Sequence, residues 1–69
     1  MYLGNNQIGY IDALSNLFEL RTIDLSNNQI DDVSPLFELE NLEDVNIMGN
    51  QISENKIKKL KEKGIIVMY

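Results

Sequence analysis

The chain has 69 residues, of which 43% are hydrophobic, and it carries 11 acidic and 6 basic side chains for a net charge of −5. This length allows one small domain, and the negative charge argues against nucleic acid as a partner, because nucleic acids bind basic surfaces. There is no Cys and no His, which excludes disulfides and the common zinc sites, so we expect no cofactor. No apolar run approaches the ~18 residues of a membrane span, so we expect no membrane insertion.

A short motif returns at a fixed interval. "NNQI" occupies residues 5–8 and 27–30, and "GNQI" occupies residues 49–52, so the spacing is 22 residues each time. Aligning the chain at this interval predicts three repeats, about 1–22, 23–44 and 45–69, in a single domain over 1–69. One unit cannot bury its own leucines, whereas stacked units share a continuous core.

Each repeat begins with an alternation of polar and apolar residues, which predicts a half-buried strand. The strands are expected at Met1–Leu3, Thr22–Ser26 and Asp44–Met48, in a parallel sheet. A corner rich in Gly and Asn follows each strand. Leucines three residues apart then predict short 3₁₀ or α turns within 14–20 and 36–42, the second with Ser34 as cap and Pro35 at the first helical position.

The last repeat departs from this pattern. Residues 52–64 read as a longer amphipathic helix with Ser53 as cap, Glu54 in the first turn and Gly64 as the stop. Residues 65–69 read as a final strand. Atypical terminal units are expected in stacked repeats, so we interpret this region as a C-terminal capping helix and strand.

The segment Leu20–Leu39 resembles the leucine-rich repeat, with the pattern L-x-x-L-x-L-x-x-N-x-I carried by Leu20, Ile23, Leu25, Asn28 and Ile30. The 22-residue period is similar to the short-repeat class of bacterial internalins and phosphatase-regulatory repeat proteins. The resemblance implies an α/β fold: a right-handed solenoid with its parallel sheet on the concave side and short helices on the convex side. It also implies a structural ladder in which Asn6, Asn28 and Asn50 each bond the backbone of adjacent coils.

The concave face is the expected partner-binding surface. Strand alternation points polar, aromatic and thioether side chains outward there: Tyr2, Thr22, Asp24, Ser26, Asp44, Asn46, Met48 and Met68. Tyr and Met are favourable contact residues at protein interfaces. Four strands make a patch of roughly 300 Å², against about 800 Å² per partner in a stable complex, so we expect the sheet to be part of a larger site.

The function that we infer is non-catalytic protein recognition, and the resemblance to internalins implies a bacterial protein at the cell surface or secreted. An intracellular regulatory scaffold of the phosphatase-binding type is the alternative, and a purely structural C-terminal cap of a longer solenoid is a third interpretation.

The first coil begins inside a strand and has no cap of its own. We therefore expect the chain to be a fragment of a longer repeat protein. An uncovered strand edge invites pairing with another chain, so we also expect a homo-oligomer formed through the first coil.

Other candidate chemistry has a simpler explanation. Asp24, Asp31 and Asp32 could contribute to a calcium site, but no EF-hand spacing is present and solvated corner acids are favoured. Paired carboxylates on neighbouring strands could act as acid and base, but an open sheet has no cleft to shift their pKa values. The lysines of residues 56–63 could bind an acidic partner, although a solvated cap helix is favoured. Phe18 and Phe37 could be core residues or lateral contacts, and we expect the core.

Overall fold

A computed structural model describes residues 1–69 and contains three strands, two 3₁₀ helices and one α-helix. The strands are β1 (Thr22–Asp24), β2 (Asp44–Asn46) and β3 (Ile66–Met68). The 3₁₀ helices span Asp12–Asn16 and Ser34–Glu38, and α1 spans Glu54–Glu62. No helix has the length and apolar character needed to cross a membrane.

The strands form a small parallel sheet in the order β1-β2-β3. Thr22 pairs with Asp44, and Asp44 pairs with Ile66. Tyr2 forms an isolated parallel bridge to Asp24, so the first repeat extends the sheet beyond β1 without forming a strand of its own. The 22-residue period of the sequence therefore sets the register of the sheet, because residues 22 apart pair across neighbouring strands.

The strands are shorter than the five residues predicted from alternation. Parallel backbone bonds do continue past β1, since Leu25 and Asn27 donate to Asn46 and Met48. The Ser26 N–H, however, bonds to the Asp24 side chain at 2.9 Å. That local bond removes a donor from the pairing with the first coil and starts the corner.

The first 3₁₀ helix begins at Asp12, two residues earlier than predicted, and the second begins at Ser34, one residue before the predicted first helical position. Ser34 is not the cap of the second one, because Val33 occupies the cap position and Ser34 is the first helical residue, with Pro35 directly after it. The Ser34 N–H and Oγ both bond to Asp32 Oδ1, at 2.9 and 2.6 Å. Asp32 thus satisfies the amide group at the start of the helix, a role that the sequence analysis gave to Ser34.

One apolar cluster forms the core between the sheet and the helices. Ile23, Leu25, Ile30, Leu36 and Leu39 are at most 1% exposed. The first-repeat counterparts of three of these residues are more exposed, since Leu3 and Ile8 are only partly buried and Leu17 is 38% exposed. Interior positions of the repeat are therefore covered from both sides, whereas those of the first repeat are covered from one side.

Helix α1 closes the other end of this cluster by placing Leu60, which is 0% exposed, in the core. Ser53 occupies the cap position as predicted, but its side chain makes no capping bond. After α1, Gly64 adopts a φ of 90°, a left-handed conformation that glycine tolerates. The chain then turns into β3.

The two phenylalanines differ. Phe37 is partly buried against the core, but Phe18 is 60% exposed, so the expectation that it lies in the core is wrong. In the next repeat the position of Phe18 is held by Glu40, which is also exposed. This column of the repeat points to solvent.

Candidate protein-binding face

The register of the sheet brings four of the predicted contact residues into one row. Tyr2 bridges to Asp24, Asp24 pairs with Asn46, and Asn46 pairs with Met68. Tyr2 is 88% and Met68 54% exposed, while the two central residues are half-buried. The row therefore presents an aromatic ring and a thioether at its ends and hydrogen-bonding groups at its centre.

A second row runs beside the first. It consists of Thr22, Asp44 and Ile66, and the Thr22 hydroxyl donates to Asp44 Oδ2 at 3.4 Å. Ile66 is 69% exposed, although it was not among the predicted contact residues. The two rows line a shallow concavity of about 310 Å³.

The remaining two predicted contacts lie where the strands turn into the corners. Ser26 is half-buried beside Gly4, and its hydroxyl donates to Asp24 Oδ1 at 2.6 Å. Met48 is 46% exposed, and its N–H donates to Asn46 Oδ1 at 3.0 Å. The side chains of Asp24 and Asn46 are therefore held by their own strands and are oriented before any partner arrives.

Hydrogen bonding fixes the charge state of this face. The Ser26 hydroxyl, followed by its backbone N–H, lowers the pKa of Asp24 below its usual value, because both bonds favour the charged carboxylate. The pKa of Asp32 is lowered in the same way by Ser34. At neutral pH the centre of the face therefore carries a fixed negative charge.

The three asparagines assigned to the ladder make different sets of bonds. Asn28 Nδ2 donates to Leu3 O and Leu25 O at 3.0 and 2.9 Å, and Asn28 Oδ1 accepts from the Ile8 N–H at 3.1 Å. Asn28 thus joins its own coil to the preceding coil, as an amide that both donates and accepts can do.

Asn50 repeats this arrangement one coil later. Its Nδ2 donates to Leu25 O at 2.8 Å, and its Oδ1 accepts from the Ile30 N–H at 3.0 Å. Asn6 donates only to Leu3 O and Gly4 O of its own coil. The asparagine at this repeat position therefore links neighbouring coils in the second and third repeats, whereas in the first repeat it bonds only within its own coil.

The residue that precedes the ladder asparagine at each corner is also constrained, which the sequence analysis did not predict. Asn5 and Asn27 have φ values of 60° and 57°, and Gly49, the next residue in the column, has a φ of 72°. Asn27 Nδ2 donates to Asn5 Oδ1 at 2.9 Å. Only glycine and asparagine visit this left-handed region readily, so the change from "NNQI" to "GNQI" was a usable signal.

The lysines of α1 have structural contacts of their own. Lys56 Nζ donates to Asp31 O at 2.9 Å, and Lys63 Nζ donates to Phe37 O. Lys61 Nζ lies 4.1 Å from the centre of the Tyr69 ring and donates to its hydroxyl, an arrangement typical of a cation–π contact. Lys58 and Lys59 remain exposed.

The acidic corner residues do not converge. The structure contains no group of three or more acidic side chains with the geometry of a metal site. Asp24 and Asp44 lie on neighbouring strands in different rows, and each is bonded to a hydroxyl of its own row or strand. Both carboxylates therefore serve as oriented acceptors on an open surface.

Stacked 22-residue coils, a parallel sheet and asparagine links between coils define a repeat protein. A family model described as Leucine Rich repeats (2 copies) matches residues 1–37 and again 18–62. The chain belongs to the leucine-rich repeat family. Repeats of this family generally mediate protein–protein interaction and are typically non-catalytic. No curated protein sequence matches the chain significantly.

Proposed function

We propose that this chain recognises a protein partner through the sheet face, with Tyr2, Asp24, Asn46 and Met68 at the centre of the contact. The observation that carries the proposal is the row itself. The fold exposes an aromatic ring and a thioether there, beside a carboxylate and an amide oriented by their own strands. Aromatic anchors flanked by pre-oriented polar groups are typical of interface hot spots.

We propose that the same partner also contacts Thr22, Ser26, Asp44 and Met48. The fixed charge of Asp24 favours a partner segment with a Lys or Arg side chain. The proposal places the sheet on the concave side of a right-handed solenoid, with the helices on the convex side and α1 and β3 as its cap. In this family, that geometry would curve the face around a convex partner.

The biological setting that we propose is a bacterial surface or secreted protein of the internalin type, on the strength of the 22-residue period. The 22-residue class also includes intracellular phosphatase-regulatory scaffolds, which form the second candidate. If substitutions on the sheet face leave partner binding unchanged, the chain is instead a structural cap.

We also propose that the chain self-associates through its first coil. The observation that supports this is the partial exposure of Leu3, Ile8 and Leu20, whose counterparts in the next repeat are buried. Light scattering across a dilution series tests it. A mass that rises with concentration above 7.9 kDa is expected, and a constant monomer mass would contradict it.

The test of recognition uses a displayed library of random peptides selected on the immobilised chain. Selected peptides are expected to lose binding to a sheet-face variant, Tyr2→Ser with Met68→Ser. They should retain binding to a control variant, Tyr10→Ser, because Tyr10 is equally exposed at 87% but lies outside both rows. Peptides that bind both variants equally would refute the sheet face as the recognition surface.

A further inference from the structure

The two ends of the coil stack carry complementary unpaired backbone groups. At the first coil, Met1 O accepts from the Asp24 N–H, and the Leu3 N–H donates to Asp24 O. Alternation in a parallel ladder then directs the N–H and C=O of Tyr2 away from the stack. At the other end, Ile66 and Met68 bond to the preceding coil, so Val67 and Tyr69 point away from it.

The side chains of the first coil also make fewer contacts than their counterparts in the next coil. Asn28 takes both its inter-coil partners, Leu3 O and the Ile8 N–H, from the preceding coil. Asn6 holds the same position in the repeat and has neither bond. Leu17 is 38% exposed, whereas Leu39, one repeat later, is 1% exposed. Both differences leave this face of the first coil able to accept a further coil.

Charge is divided between the two ends. The first coil, residues 1–22, contains two acids, Asp12 and Glu19, and one base, Arg21, while residues 54–69 contain five lysines and two acids. The formal side-chain charges of the two end segments are thus −1 and +3. Glu19 lines an apolar recess at the first coil with Met1, Leu17 and Phe18. Two lysines, Lys58 and Lys61, and one acid, Glu54, line a recess beside Tyr69 at the last coil, so that recess carries a net positive charge. Opposite ends attract, and like ends repel.

We propose that copies of this chain stack head to tail, with the first coil of one copy added to β3 of the next in the register of the repeat. The inference rests on the self-association proposed above and names its geometry. Continuing the row from Tyr2 through Met68 places Tyr2 of the added copy beside Met68. The N–H of this Tyr2 then donates to Val67 O, and the Tyr69 N–H donates to the C=O of the same Tyr2. The sheet faces of successive copies become one continuous surface.

The size of each end predicts weak association. Four chain segments at about 4.8 Å spacing account for the shortest dimension of 16 Å, so each end measures 25 × 23 Å. An ellipse of that size covers roughly 450 Å², about half of the 800 Å² per partner found in stable complexes. Stacking is therefore expected to depend strongly on protein concentration and to weaken as salt screens the charges.

Cysteine cross-linking distinguishes this geometry from a two-fold one. The natural chain has no Cys, and paired residues in neighbouring parallel strands are about 5 Å apart, within the range that a disulfide spans. Single variants Tyr2→Cys and Met68→Cys are oxidised separately and as an equimolar mixture. The expected result is a cross-linked dimer in the mixture and little in either variant alone. Tyr10→Cys mixed with Met68→Cys is the matched control and should not cross-link.

Other outcomes overturn the proposal in different ways. Cross-linking of Tyr2→Cys alone would establish a two-fold contact between first coils, which preserves self-association and refutes head-to-tail stacking. No cross-linking in any combination, with a constant monomer mass, would refute both. The peptide-binding test of the sheet face is carried out on sparsely immobilised chains, which have no neighbouring copy to stack on, so its result is independent of either outcome.

Charge reversal provides a second measurement that does not rely on cysteine. Lys58→Glu alters the recess beside Tyr69, whereas Lys59→Glu makes the same change of net charge at a position outside the recess. Both lysines are exposed, so the fold should tolerate either variant. Lys58→Glu is expected to lower the average mass at a given concentration more than Lys59→Glu. Equal effects would show that net charge, and not the end contact, controls association.

Discussion

Replacing Asn28 by alanine tests whether the asparagine links hold the coils together. Asn28 is only 8% exposed, and the substitution removes the donor to three carbonyls and the acceptor for one N–H. Each carbonyl keeps another donor: Leu3 O from Asn6, Leu25 O from Asn50 and Ser26 O from the Asn5 N–H. The group left without a partner is the Ile8 N–H.

The expected loss follows from that single group. An unsatisfied buried donor costs about 1–3 kcal/mol, and the three weakened carbonyl contacts add little because each retains a bond. We therefore expect Asn28→Ala to lower the free energy of unfolding by about 1–3 kcal/mol. A domain of this size has a total stability of roughly 3–10 kcal/mol, so the loss would be a substantial fraction of it.

Urea unfolding followed by circular dichroism measures the effect, with Asn6→Ala as the matched control. Asn6 is exposed and makes only local bonds, so its loss should stay within about 0.5 kcal/mol. Asn50→Ala should cost at least as much as Asn28→Ala, because it deprives Ile30, which is fully buried, of the acceptor for its N–H. Equal losses for Asn6→Ala and Asn28→Ala would refute the reasoning.

Three further outcomes are expected. Gly49→Ala should destabilise the chain by about 1–2 kcal/mol in the same urea assay, because a left-handed residue with a Cβ is strained and that Cβ would lie 2.2 Å from Asn27 Oδ1; an unchanged midpoint would contradict this. The pKa of Asp24 is lowered mainly by Ser26, so this carboxylate stabilises the fold above its unfolded pKa of about 3.9, and the stabilisation is lost as pH falls through the lower folded value. Carboxyl carbon NMR titration should show the lowered pKa, and Ser26→Ala should return it toward the ordinary value; an unmoved titration would show that Ser26 is not the cause. Phe18→Ser should change the stability of the monomer by less than about 0.5 kcal/mol, since Phe18 is exposed; a larger loss, seen by thermal melting in dilute solution, would place the ring in a packed site.

Much of the fold could be predicted from the sequence because the repeat makes each coil a copy of its neighbour. The columns of Leu, Ile and Val identified the core, and the 22-residue offset gave the register of the sheet before any coordinates. Family membership follows from the same pattern, which matches two overlapping stretches of the chain. The row Tyr2, Asp24, Asn46 and Met68 could be aligned in advance for the same reason.

Where helices and strands begin and end was less predictable, because competing local hydrogen bonds decide it. Asp24 and Asp32 each take the N–H of the serine two residues later. The first bond removes the Ser26 N–H from the pairing with the first coil, and the second moves the cap function from Ser34 to Asp32. A sequence pattern shows which side chains could compete for an amide, but only the backbone conformation shows which one does.

By itself, the sequence determined the period, the register and the residues of the buried columns, because these depend on which side chains recur. The tertiary structure alone decided how completely each column is covered. Leu17 and Leu39 are the same residue type at the same repeat position, as are Asn6 and Asn28, yet one member of each pair has a coil on both sides and the other does not. Burial and inter-coil bonding are properties of neighbours in the stack, and an isolated repeat cannot specify them.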